Sequence, residues 1–287
     1  MSEQQPPKSK ALLIGQQFWL YWKPLVVATA AYSILAFLCS VAAANSTFNG
    51  GVWLLFIDAA LVLSMSQLTG VFAALGSWSY LWRLAISQSC GLVFFLSLYG
   101  GLTVASTQNW DPTAAKYYLC VSAIASLVSQ SVYWFFRIVC RWRFHQTGTK
   151  RGDAYTLQDL FAATLFLAVV LAIVNMVRGS AFIQNSGSET LLVFVVAIFV
   201  FTLIYGAPTL LATAHSVDDY GCGVQLVILV LVGFIAGMPL VTIGAANLIV
   251  PLVVLLCGTS LFLWLPLALM REQGFQLSNG NDDNREH

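Results

Sequence analysis

The sequence predicts an all-α, polytopic integral membrane protein of about eight transmembrane helices, with both termini on the cytoplasmic side (N-in/C-in). Three observations predict it. Hydrophobic residues make up 59% of the 287 residues and charged residues only 9%, whereas soluble domains carry roughly 25% charged residues. The apolar residues gather in blocks of about 20, the length a helix rising 1.5 Å per residue needs to cross a hydrocarbon core about 30 Å thick. Lysine and arginine, finally, fall almost entirely into alternate loops. The alternating ten-residue strands of a membrane β-barrel are absent from the sequence.

In chain order, residues 1–24 read as a polar cytoplasmic tail followed by an interfacial helix. Ala11 to Trp22 is apolar but too short to span, and it ends in Phe18, Trp19, Tyr21 and Trp22, rings suited to the head-group layer. Lys23-Pro24 interrupts the apolar run without a small-residue cleavage site, so the segment does not read as a signal peptide. Pro24 suits the first turn of the next helix, where its missing N–H is no loss. Eight spans are expected at Leu25–Ala44, Val52–Gly76, Leu84–Ala105, Tyr117–Val139, Thr156–Val177, Leu191–Ala214, Val224–Ile243 and Asn247–Met270. They form two four-helix halves, 25–139 and 156–270, joined by a basic cytoplasmic loop at 140–155 and followed by a disordered cytoplasmic tail at 271–287. Only Gly244-Ala245-Ala246 separates the last two spans, and Pro239 offers an alternative in which the seventh is a re-entrant piece.

Orientation follows from charge. With the N-terminus inside, 11 of the 13 Lys and Arg residues are cytoplasmic and only Lys116 and Arg178 lie outside, which the positive-inside rule favours. Tryptophan agrees: Trp78, Trp82, Trp134, Trp142 and Trp264 lie near expected inner ends, and Trp53 and Trp110 near outer ones.

The densest basic run, Arg137, Arg141, Arg143, Lys150 and Arg151, lies between the fourth and fifth spans. It anchors the topology and offers contacts to anionic lipid head groups, at about 1 kcal/mol per basic residue near the membrane. Thr156 then caps the fifth helix, with Asp159 in the reciprocal place of a capping box. The basic residues followed by Tyr155-Thr156-Leu157-x-Asp159-Leu160-Phe161 and Ala162 to Ala168 resemble a short helix-start motif of uncharacterised multi-pass membrane proteins of planctomycete bacteria. In that motif a second Leu stands where this chain has Phe161. The resemblance covers about 25 residues, implies a bacterial inner-membrane protein, and carries no catalytic residue.

Within the apolar mass, polar residues are the candidates for function. Asp58 is the only acidic residue well inside a span, about 9 Å from its outer end at 1.5 Å per residue. An intramembrane carboxyl is a functional hypothesis by default: a proton- or cation-coupling site, or else a carboxyl hydrogen-bonded to a neighbouring helix. Gln67, Gln88 and Gln130, each beside serines, are expected in the inner halves of spans two, three and four. There they hydrogen-bond across helices or line a polar path. Pro208, Gly233, Gly237, Pro239, Gly244 and Pro251 are breakers in the later spans. They either kink helices or free carbonyls for ions.

Little chemistry is legible beyond this. His215 to Cys222 mixes metal-ligand types at a spacing that matches no metal motif, and the six cysteines form no CxxC. No hydrolase, zincin, Walker or EF-hand signature occurs, so no cofactor, metal or catalytic residue is expected, and nothing points to nucleic acid. The expected role is a non-catalytic scaffold or subunit of a membrane assembly, with the lipid bilayer, a membrane protein or a second copy as partner. The alternative is a small transporter or permease using Asp58 and the glutamine–serine layer.

Overall fold

The computed structural model describes residues 10–45, 48–76, 79–105, 112–140, 142–146, 196, 198–210 and 249–278. These form helices α1 (Lys10–Asn45), α2 (Phe48–Leu75), α3 (Tyr80–Ala105) and α4 (Pro112–Val139). Strand β1 (Arg143–Gln146) follows, then α5 (Ile198–Leu210), α6 (Ile249–Glu272) and strand β2 (Phe275–Ser278). Four helices are long and apolar enough to cross a membrane: Trp19–Ala43 of α1, Trp53–Leu75 of α2, Tyr80–Val104 of α3 and Val253–Glu272 of α6. The expected fifth and seventh spans lie outside the described residues.

α1 departs from the expected entry. Instead of an interfacial helix broken at Pro24, one 36-residue helix runs through the proline, about 54 Å long and so longer than the hydrocarbon core. Packing holds the site where the N–H is missing. Tyr21 and Trp22 are buried beside Pro24, with the Tyr21 ring 5.5 Å from Phe72 of α2 and 5.5 Å from Phe275 of β2. Neighbouring elements of this kind let a proline persist inside a membrane helix.

α2 is the hub, packing on α1, α3, α4 and α6. From Ser64 to Leu75 every residue of it is buried, as expected of a helix enclosed by others. Small residues set the spacing. A Cβ at Gly70 would lie 2.9 Å from the Ser129 Cβ of α4, and one at Gly101 of α3 would lie 2.7 Å from the Phe37 carbonyl oxygen of α1. Close backbone approach replaces the hydrophobic drive that is missing between helices in lipid.

The C-terminal end of α2 has orphan carbonyls that need donors, and two buried arginines supply them. Arg83, at the start of α3, donates to the Ala74 oxygen at 2.9 Å; Arg137, at the end of α4, donates to Ala74 at 2.6 Å and to Gly76 at 3.1 Å. Cations also suit the negative end of the helix dipole. Arg83 is only 2% exposed and Arg137 5%. Each guanidinium further lies over a ring, Arg83 over Tyr80 and Arg137 over Trp134.

The all-α expectation omits one element, a two-stranded antiparallel ribbon pairing Phe144 with Leu277 and Gln146 with Phe275. It draws β1 from the basic loop and β2 from the tail expected to be disordered from residue 271. Phe144, Phe275 and Leu277 are buried, so the alternating apolar residues give the ribbon a face to cover the end of the bundle. Gly274, at φ 83°, makes the turn out of α6, a conformation glycine adopts freely.

Candidate functional site

The polar layer predicted on spans two to four assembles as two adjacent clusters. In the first, Gln67 of α2 bridges two helices. Its Nε2 donates to Thr202 Oγ1 of α5 at 2.6 Å, and its Oε1 accepts from the Tyr133 hydroxyl of α4 at 2.8 Å. The Thr202 hydroxyl in turn donates to the Ile198 carbonyl at 2.7 Å. A hydroxyl has one proton, so Ser129 Oγ, 3.5 Å away, can only be a donor or a neighbour to it. In the second cluster Gln88 of α3 and Gln130 of α4 both donate to Ser126 Oγ, at 2.9 and 3.3 Å. Gln67 and Gln130 are fully buried and Gln88 partly so. Gln67 and Gln88 thus tie helices together, while Gln130 bonds within α4 and its Oε1 has no hydrogen-bond partner among the described residues.

Thr202 opens a π turn, Thr202–Gly206, closed by the Ala207 N–H donating to the Thr202 carbonyl. Such turns are rare and often occur at functional positions. Its cause lies two residues past its end. Pro208 has no N–H for the Ile204 carbonyl, and its ring would collide with that oxygen in ordinary α winding. The expected breaker thus acts as a widened turn. Gly206 completes the fit, since a Cβ there would overlap Gln67 Oε1 and the Tyr133 hydroxyl.

Asp58 stands apart, nine residues earlier on α2 and so about 13 Å from Gln67 along the helix. It is 6% exposed; Ser40 Oγ of α1 donates to its Oδ2 at 2.9 Å, while Oδ1 has no hydrogen-bond partner among the described residues. The carboxyl is turned into the α1–α2 seam.

The basic run divides. Arg137, a candidate head-group contact, is buried and serves the α2 end. Arg143 begins β1, and Arg141, Lys150 and Arg151 lie outside the described residues. Two tryptophans expected at the boundary are also interior: Trp134 packs on Tyr80 and Arg137, and Trp142 stacks on Phe136 at 4.5 Å. Trp53 and Trp82 are exposed on the bundle surface. The capping pair Thr156–Asp159 and the His215–Cys222 loop lie outside the described residues.

Sequence reasoning missed Tyr133, Thr202 and Ser40. Hydroxyls are common in membrane helices, and their partners lie on other helices. Chemically, the layer offers neutral amides and hydroxyls, able to orient helices or a polar solute. Among the described residues no group of three or more His, Cys, Asp and Glu could hold a metal. Comparison with protein-family models, with curated proteins and with solved structures finds no match.

Proposed function

We propose that this chain is a non-catalytic scaffold or subunit of a membrane assembly, crossing the membrane eight times with both termini in the cytoplasm. The observation that carries the role is Gln67, fully buried and tied to both Tyr133 and Thr202. These two bonds, at on the order of 0.6–2 kcal/mol each, engage both polar atoms of the buried amide and fix helix positions. Native-lipid extraction followed by mass measurement tests the role. The reading requires a second membrane protein, or further copies of this chain, at fixed stoichiometry. A lone monomer that moves a solute in liposomes would sink it.

The ribbon supports the count of spans. β1 follows α4, β2 follows α6, and their pairing puts both helix ends at one end of the bundle. An odd number of crossings must then lie between them. Residues 140–248 hold three apolar blocks, which makes eight in all. The Lys and Arg distribution in the sequence favours a cytoplasmic ribbon end, with Arg141, Arg143, Lys150 and Arg151 proposed as contacts to anionic head groups. The resemblance at Tyr155–Phe161 suggests a bacterial inner membrane. In spheroplasts, an impermeant maleimide should label Ser186→Cys and not Ser216→Cys; the reverse pattern would refute the topology.

One observation favours a second reading, a transporter. The buried Asp58 Oδ1, which has no partner among the described residues, is an expensive feature in a purely structural span. In that reading Asp58 is the coupling group.

A further inference from the structure

We propose that the π turn Thr202–Gly206 is a conformational switch, latched in its wide form by Gln67 and Tyr133, whose rewinding to α-helix moves Leu210 out of its seat beneath the ribbon. The inference holds whether the protein is a scaffold or a transporter.

The two ends of α5 are held differently. On the N-terminal side, the Thr202 hydroxyl donates to Ile198, a bond internal to the helix. It survives any change of winding further along. On the C-terminal side, the helix is held against Gln67 and Tyr133 through the bare Cα of Gly206, and against α6 and the ribbon through Leu210. Leu210 is fully buried and lines a small cleft with Phe144, Leu267, Met270, Phe275 and Leu277.

A π turn holds one more residue than an α turn. Rewinding it would rotate the helix from Gly206 onward by about 100° and advance it by about 1.5 Å. Gly206 would leave the Gln67–Tyr133 pair, and Leu210 would leave the cleft. The amide pair and the cleft are therefore coupled through one short rigid segment. Opposing influences set its position. Pro208 and the close fit of Gly206 against Gln67 and Tyr133 favour the wide turn, whereas the general preference of helices for α winding favours its loss. A segment with two discrete arrangements, biased by contacts at both ends, is what coupling across a bundle requires.

The test uses the full chain in lipid nanodiscs with its six native cysteines replaced by alanine. Cysteines at Leu210→Cys and Leu267→Cys report the cleft by oxidative cross-linking; a pair at Phe144→Cys and Leu277→Cys reports the ribbon. Gln67→Leu should lower the first cross-link severalfold and leave the second unchanged, and Gln88→Leu should affect neither. An undiminished 210–267 link in Gln67→Leu overturns the proposal, as does its absence in the parent chain. Should Gln67→Leu also lose the ribbon link through misfolding, Pro208→Ala decides: the same selective loss supports the switch, and an unchanged link refutes it.

Discussion

The Tyr32 hydroxyl of α1 donates to the Phe262 carbonyl of α6, the oxygen whose helical donor is missing because Pro266 stands four residues on. A proline inside a helix removes an N–H and leaves the carbonyl four residues earlier unsatisfied. In lipid there is no water to replace it, so a neighbouring helix must. Tyr32 does so, and its ring lies edge-on to Phe262 at 5.3 Å.

This pairing predicts a coupled pair of variants. Tyr32→Phe keeps the ring and strands the carbonyl, at a cost of about 1–3 kcal/mol. In a Pro266→Ala background the restored N–H satisfies Phe262, and the same change should cost well under half as much. Unfolding midpoints of the four proteins in one detergent give the coupling directly. Equal costs in both backgrounds would show that the hydroxyl is not serving the proline gap.

Arg137 makes a second prediction, separating a helix cap from a lipid contact. Its two bonds to Ala74 and Gly76 are charge-assisted, worth about 1.5–3 kcal/mol each where buried. Arg137→Ala should therefore be strongly destabilising. Arg137→Lys keeps the charge and loses the planar fork, so it should recover only part of the stability. The loss should be the same in zwitterionic and in anionic bilayers. A loss that appears only with anionic lipid would return Arg137 to the head-group layer.

The same residue shows where sequence reading stops. Four helices of membrane-spanning length overlap expected spans, because an apolar block of membrane length is a local signal. A partner is not. Arg137 caps a carbonyl 63 residues away, and a count of positive charges cannot tell such a cap from an anchor in the head groups. Gln67, likewise, stands out as polar in an apolar span, but Thr202 is 135 residues distant. The ribbon escaped notice because four-residue strands within polar flanks carry too short an alternation to register. Pro24 shows the converse: the local rule for a helix start is sound, yet burial of Tyr21 and Trp22 carries the helix through it.

Asp58 distinguishes the two functional readings. Asn in its place can accept from Ser40 as the carboxylate does, so the fold should hold within about 1 kcal/mol, since a buried charge is removed and an amide N–H₂ added. Asp58→Leu strands the Ser40 hydroxyl and should cost about 1–3 kcal/mol. A scaffold keeps its assembly with Asp58→Asn. In the transporter reading, proteoliposomes carrying a pH-sensitive dye should lose proton movement with the same variant. Proton movement that persists at the parent rate would remove Asp58 as the coupling group.

The adjacent glycines of α3 give the sharpest test of the packing. A Cβ at Gly100 would meet nothing nearer than the Phe37 ring at 3.9 Å, an ordinary contact, whereas one at Gly101 would meet the Phe37 oxygen at 2.7 Å and its Cα at 3.1 Å. Backbone cannot swing aside as the end of a flexible side chain can. Gly100→Ala should thus be neutral or raise stability by up to about 1 kcal/mol through helix propensity. Gly101→Ala must push α1 from α3, at about 1–3 kcal/mol. It should also disturb the Ser40–Asp58 bond, because Ser40 Cβ lies 2.9 Å from the same added methyl. Cysteine pairs across α1 and α3 would register the displacement as lost cross-linking. If the two alanine variants unfold together, α1 and α3 are not held at backbone contact in the membrane, and the seam around Asp58 is looser than its burial implies.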